Sequence, residues 1–378
     1  MKQRGRFERR RRLPRLHGGK LALLIACAIQ AALSVACFAV LSHVSGMLIT
    51  QSAADVWRGD GEERFAQVTA FMPVTGTKTL DDIRAFRATL ENEFVQNSMT
   101  APEGGSLYVD AYSGKTSLSV SGKSPGSVTV TAIGAGGDYF LFHPLKLLSG
   151  SYVSDEDYMS DRVVLDAQTA FNLFGSSDVA GMEVTIGGRT FPVAGVVQSE
   201  DDFATNAALQ AANSASGDSS GNASTSTAMI YMSYSALNAM QELSIDCYEI
   251  VLPDPVSGFA KNLMTEKFPS SGGAIVQNTG RFSLSGLICV LGGFGTRVMT
   301  TNGVIYPYWE NAARMAENFA ALFLLLGVLL ALMPVTCFLI AAVKLIVREI
   351  RRGYYKAAHA IEDRVEENKR KHYVAGGI

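Results

Sequence analysis

Residues Asn318–Val343 read NFAALFLLLGVLLALMPVTCFLIAAV, an uncharged apolar run near the C-terminal end of a 378-residue chain. A second such run, Leu21–Leu41 (LALLIACAIQAALSVACFAVL), lies near the N-terminal end. A helix rising about 1.5 Å per residue needs roughly 20 apolar residues to cross a bilayer core of about 30 Å. Both runs meet that length and nothing between them does. The sequence therefore predicts a membrane hairpin whose two legs, 21–43 and 318–343, carry one large domain, 44–317, on a single side.

Charge orients it. Residues 1–20 hold a net +8, residues 344–378 a net +4 and the middle a net −14, all concealed in a whole-chain value of −2. Basic flanks resist translocation and meet anionic lipid on the cytoplasmic face. The expectation is two cytoplasmic tails and an extracytoplasmic middle in a two-pass protein of the cell membrane. The arginines of the first tail read as this topology signal before a twin-arginine signal or nucleic-acid binding. Leu24-Ile25-Ala26-Cys27 resembles a lipoprotein cleavage box. However, the stretch from Lys20 to Cys27 is shorter than the roughly 7–15 residues of a signal-peptide apolar region, and apolar residues continue to Leu41. The first run is read as a retained helix.

The domain begins as strand then helix. Ala66–Met72 is extended and apolar. Thr79-Leu-Asp-Asp82 resembles a capping box, followed by a helical stripe at Leu80, Ile83, Phe86, Leu90 and Phe94 that should face a sheet. Leu107–Ala111 is a return strand and Ser113–Lys123 is turn-rich. Late in the domain, Ala228–Met232, Cys247–Leu252 and Ala274–Gln277 read as strands, with helices at Ser233–Leu243 and Val256–Phe268. Two β-α-β units around an insertion give an α+β class with a ferredoxin-like split core and an inserted β-rich subdomain. Residues 205–227, rich in Ala, Ser, Asn and Gly, read as a loop. Gly286–Gly295 is apolar but too short to span. It packs in the domain core or lies against the outer leaflet, and the core reading is preferred.

Within Tyr139–Val197, Asp166 is an N-cap for a helix ending at Gly175, which suits a left-handed position. Gly187-Gly188 suits a type I′ hairpin between Val184–Ile186 and Thr190–Val197. This block resembles the extracytoplasmic core domain of MacB/FtsX-type ABC-transporter permeases. The matching pattern is an aromatic-rich strand before Leu147-Leu148-Ser149-Gly150, a valine strand at Arg162–Leu165 and an alanine helix ending Leu173-Phe174-Gly175. A segment from Gly181 to Val193-Ala-Gly195-Val196 closes it. The resemblance implies a porter-like split subdomain and a mechanism in which a cytoplasmic ATPase moves helices that reshape the outer domain, for export or mechanotransmission. The chain has no phosphate-binding Gly-x-x-x-x-Gly-Lys-Ser/Thr loop, so ATP would enter only through a separate ABC ATPase subunit. The resemblance also places ATPase docking at Arg348, Glu349 and Ile350, with Arg351 and Arg352 beside them; Lys344 and Lys356 complete a basic group that could equally anchor to lipid. Family permeases carry four membrane helices and two are seen here, which implies completion by a second permease subunit or another copy of the chain. The alternative is a membrane-anchored binding or scaffold protein of the same family without transport coupling.

No catalytic set emerges, so no enzyme activity, bound cofactor or metal is expected. The domain offers His143 alone for acid–base work. Asp155-Glu156-Asp157 and Glu200-Asp201-Asp202 lack the alternating ligand spacing of a calcium loop and read as solvated turns. Gly134-Ala-Gly-Gly137 reads as a flexible turn, and Pro334 as a kink in the second leg. Cys247 and Cys289 could pair if close enough; no Cys/His spacing suggests zinc.

Overall fold

The computed structural model describes residues 18–101, 105–122, 127–154, 157, 160–215, 228–270, 272–294, 300–301 and 303–375. Two compact units emerge, one of residues 1–41 with 322–378 and one of residues 42–321. The first contains α1 (Gly18–Ser45) up to Leu41 and most of the final helix, each long and apolar enough to cross a membrane. Inside that unit the two helices meet at a glycine. A Cβ on Gly327 would lie 3.2 Å from the Phe38 ring and 3.3 Å from Cys37. The Ser34 hydroxyl donates to the Gly327 carbonyl at 2.8 Å. Small residues at such a crossing let helices approach where no hydrophobic force separates protein from lipid.

The second unit is built on one mixed sheet of ten strands. Its first half interleaves two β-α-β units. After a short helix α2 (Ala53–Arg58), β1 (Phe65–Phe71) leads through α3 (Leu80–Gln96) to β2 (Val109–Ser121). The capping box forms as the sequence predicts, with Asp82 accepting from the Thr79 amide at 2.9 Å. Ile83, Phe86, Leu90 and Phe94 are buried against the sheet. Their α3 neighbour Arg87 holds Asp110 of β2 through two 2.8 Å hydrogen bonds.

An insertion follows: β3 (Ser127–Gly137), α4 (Tyr139–Phe142), β4 (Lys146–Gly150), β5 (Val163–Asp166), α5 (Ala167–Phe174), β6 (Glu183–Ile186), β7 (Arg189–Gln198), α6 (Phe203–Ala215), β8 (Met229–Ser233) and α7 (Tyr234–Met240). Then β9 (Cys247–Pro253), α8 (Phe259–Lys267) and β10 (Ala274–Gln277) close the core. The remaining elements are α9 (Leu284–Gly292), the pair β11 (Thr300–Thr301) and β12 (Val304–Ile305), and α10 (Tyr308–Ala375). Strand order is β10-β1-β9-β2-β3-β8-β5-β7-β4, with β6 bridging β2 and β7. The four strands β10-β1-β9-β2 are antiparallel neighbours in the ferredoxin-like order, fourth, first, third, second.

Several segments differ from their sequence-based expectation. Ser113–Ser121 is strand, because β2 pairs with β3 residue by residue from Ala111 to Ser121. Gly134–Gly137 belongs to β3, where small residues are needed: a Cβ on Gly136 would fall 2.1 Å from the Tyr112 ring. Tyr139–Phe142 is a helical turn where a strand was expected, and it ends at His143, whose successor Pro144 disfavours helix. Residues 203–215 form α6 in place of the first part of the expected loop; 216–227 lie outside the described residues. Asp202 starts α6, its Oδ1 accepting from the Ala204 and Thr205 amides at 2.9 Å. Ala204 and Ala208 then pack on Ala312, Ala313 and Ala316 of α10. Strand β8 pairs with β3 and β5, so it belongs to the insertion and not to the late β-α-β unit. The Gly187-Gly188 hairpin forms with both φ values positive. Helix α10 continues through Pro334.

Candidate functional site

Helix α10 leaves the sheet domain through a buried ionic clamp that the sequence reading did not identify. Arg281 follows β10 and points at the first turns of α10. Its guanidinium donates to both carboxylate oxygens of Glu310 at 2.8 Å and to Glu317 Oε1 at 2.6 Å. Arg281 also donates to Gln51 Oε1 at 3.0 Å, bringing in the turn after α1. Arg314, one turn on from Glu310, donates to the same carboxylate at 2.8 Å and lies over the Tyr306 ring at 3.5 Å. Burial opposes charge on Glu310, but Arg281 and Arg314 outweigh it and hold the carboxyl below its usual range.

A second buried set adjoins this one in sequence and space. His143 Nε2 lies 2.6 Å from Glu249 Oε2. The imidazole stacks on Tyr139 at 4.4 Å and meets Trp309 edge-on at 4.7 Å. Glu249 sits on the central strand β9, so a chain of contacts runs from the sheet through His143 to Trp309, the residue before Glu310. The sequence left His143 without a partner because Glu249 is remote along the chain. Glu200, half-buried, has its carboxyl pushed up to about 7 by burial, with His143 pulling down and Asp202 adding to the rise.

Beside Trp309 a cavity of about 310 Å³ opens, lined among others by Ile133, Cys247, Tyr306, Tyr308 and Asn311. Its walls are mainly apolar. Trp309 Nε1 and Asn311 Oδ1 are buried without a hydrogen-bond partner among the described residues. Cys247 is buried, Cys289 is exposed on α9, and both are free thiols. Among the described residues no cluster of His, Cys, Asp and Glu could hold a metal ion.

The residues singled out by resemblance fall in two places. Gly150, Leu173, Phe174, Gly175, Gly181, Val193, Gly195 and Val196 lie in the insertion. Gly150 and Gly195 are register partners across β4 and β7. A Cβ on Gly150 would meet the Ala194 carbonyl at 2.0 Å, and one on Gly195 the Ser151 carbonyl at 2.5 Å. Gly175 is left-handed after α5, Gly181 has φ +84°, and its amide donates to the Val193 carbonyl at 2.8 Å. Leu173, Val193 and Val196 are core residues and Phe174 packs on them. All eight positions therefore shape the fold. Arg348, Glu349, Ile350, Arg351 and Arg352 lie on the second unit's partner, the long exposed part of α10. Arg352 pairs with Glu349 one turn back.

The clamp had a signal in the sequence. Glu310, Arg314 and Glu317 recur at helical spacing directly before an apolar run, a pattern that gives one helix face three charges with no water to receive them once that face packs.

Comparison with known proteins gives a family model, the MacB-like periplasmic core domain, matching residues 24–257. The periplasmic region of MacB from Actinobacillus actinomycetemcomitans is similar at 18% identity and TM-score 0.39, over 61% of this chain and 94% of that one. The extracellular domain of the noncanonic ABC-type transporter YknZ from Gram-positive bacteria is similar at 13% identity and TM-score 0.36, over 57% and 99%. A domain of a putative permease protein from Porphyromonas gingivalis is similar at 11% identity and TM-score 0.33, over 57% and 89%. No curated protein matches the chain. With the family model spanning most of its length, the chain belongs to the family of the MacB-like periplasmic core domain, found in permeases of the ABC-transporter type.

Proposed function

We propose that this chain is the permease-like membrane subunit of a MacB/FtsX-type ABC system, coupling a separate cytoplasmic ATPase to conformational change of its outer domain. The observation that carries this reading is α10 itself. One unbroken helix, Tyr308–Ala375, bears the buried Glu310–Arg281 clamp in its first turns and the exposed Arg348–Arg352 group beyond its apolar run. A helix transmits a push or twist only if its end is gripped, and a buried charge network fixes one register because displacing either partner leaves a buried charge uncompensated. In this reading Arg348, Glu349, Ile350, Arg351 and Arg352 meet the ATPase, both tails are cytoplasmic, and a second permease subunit or copy completes the membrane unit. ATP is used by the partner alone.

Purification of the full chain from its native membrane tests this. An ABC ATPase should co-purify, and Arg348→Glu with Arg351→Glu should release it. Absence of any ATPase from the intact preparation would end the coupling reading. The cavity beside Trp309 favours a second reading, a binding or scaffold protein without coupling. Removing residues 344–378 separates the two, since ligand or partner binding by the domain would survive the deletion and coupling would not.

A further inference from the structure

Helix α9 has two apolar faces and only one of them is covered. Its sequence with flanks, Phe282–Phe294, reads FSLSGLICVLGGF and holds no charged residue. Ser283 caps it, accepting from the Gly286 amide at 3.2 Å. Leu287 and Val290 are buried in the domain. Leu284, Ile288 and Phe294 are 64%, 56% and 51% exposed. The sequence offered core packing or leaflet contact for this segment as alternatives; the two faces leave room for both.

The position of α9 within its unit indicates what covers the open face. Phe282, like Val44 and Met47, packs on the buried cluster of Leu48, Ala204, Ala208, Ala312, Ala313 and Ala316. Val44 lies three residues after the first apolar run ends at Leu41, and Ala316 two residues before the second begins at Asn318. Cluster members Leu48 and Ala204 are each followed or preceded by another exposed apolar residue, Ile49 and Phe203. Exposed apolar side chains thus gather where the chain passes into its two membrane-crossing helices. Water at this level gives way to headgroups and acyl chains, and large apolar residues on a helix lying in that boundary are stabilised there.

We propose that α9 is an interfacial helix, with Leu284, Ile288 and Phe294 set into the lipid of the leaflet on the domain's side. The domain would then be attached to the bilayer at a third point besides its two spanning helices. This attachment does not depend on coupling to an ATPase.

Cys289 supplies the probe position, since it is exposed on this helix whereas Cys247 is buried. Full-length protein with Cys27, Cys37 and Cys337 replaced by Ala would carry a bimane label at Cys289 and be reconstituted in phosphatidylcholine–phosphatidylglycerol vesicles. Brominated phosphatidylcholine should quench the label at least twofold, and aqueous iodide should quench it several-fold less than in the detergent-solubilised protein. Ile288→Asp, or the triple change with Leu284→Asp and Phe294→Asp, should reverse that order while leaving the detergent melting temperature within a few degrees. The single variant decides should the triple one not fold. A label open to iodide and untouched by brominated lipid would overturn the proposal. So would shielding from both quenchers that disappears on dilution with lipid, because a second protein copy would then cover the face.

Discussion

The guanidinium of Arg281 and the carboxylate of Glu310 form a two-point ion pair, 2.8 Å at each contact, almost wholly removed from solvent. With Glu310, Arg314 and Glu317 put three alternating charges on one face of α10, and Arg281 packs against them from outside the helix. Each charge has an opposite partner, so the desolvation of each is offset only while the set is complete.

Glu310→Ala would remove the carboxylate that Arg281 and Arg314 share, leaving the buried Arg281 guanidinium with Glu317 and Gln51 only. The expected loss is about 3 kcal/mol, the lower end of the cost of breaking a buried pair. Chemical denaturation of the detergent-solubilised protein measures it. The double variant Arg281→Met, Glu310→Leu should lose less than the sum of the two single changes; strict additivity would mean the pair does not interact.

Gly195→Ala should destabilise more than an ordinary surface change, since its Cβ would sit 2.5 Å from the Ser151 carbonyl and backbone must move. Gly150→Ala adds strain at φ +73° to a contact of 2.0 Å. Strain of this kind is worth about 1–3 kcal/mol per residue. Gly175→Ala, with open space around it, should cost less than either, and melting temperatures rank the three.

Glu200 makes stability depend on pH. Its folded carboxyl titrates at about 7, above the ordinary 4.5, so between those values the folded state holds a proton that the unfolded state has lost. Stability from this group is complete below pH 4.5 and is lost as pH rises through about 7. Melting temperature should therefore fall between pH 5 and 8. Glu200→Gln should flatten that part of the profile; an unchanged slope would assign it to other groups.

Gly327→Leu should push the two membrane helices apart at the Ser34 contact. Cys27 and Cys337, whose thiols are neighbours within the same unit, report the spacing. Oxidation with copper phenanthroline should cross-link them in the wild-type chain and by less than half as much in the variant.

Local signals were well expressed in the sequence. Thr79 and Asp82 form their box, Asp166 accepts from the Thr169 amide at 2.6 Å, and Ile83 through Phe94 bury one helix face. These depend on residues a few positions apart, where a side chain and its partner are fixed by helix geometry. The features that escaped depend on distant partners. Serine-rich Ser113–Ser121 stays extended because β3 satisfies its backbone along its whole length. The alanines of α6 carry little hydrophobic signal, and their value lies in meeting Ala312 and Ala316 at close range. Charges at 310, 314 and 317 look solvated until Arg281 is placed among them. His143 had a partner only once β9 brought Glu249 to it.

The length of β2 has a final consequence. Its first residues, Val109–Ser113, pair with β9 of the ferredoxin-like half, and Ala111–Ser121 pair with β3 of the insertion, so the two halves share one backbone ladder. Neither half can melt alone without breaking hydrogen bonds of the other. A force applied to the insertion would accordingly be felt as shear along β2 by the strands next to it, so the sheet domain would respond as a single lever and not as a pair of hinged lobes.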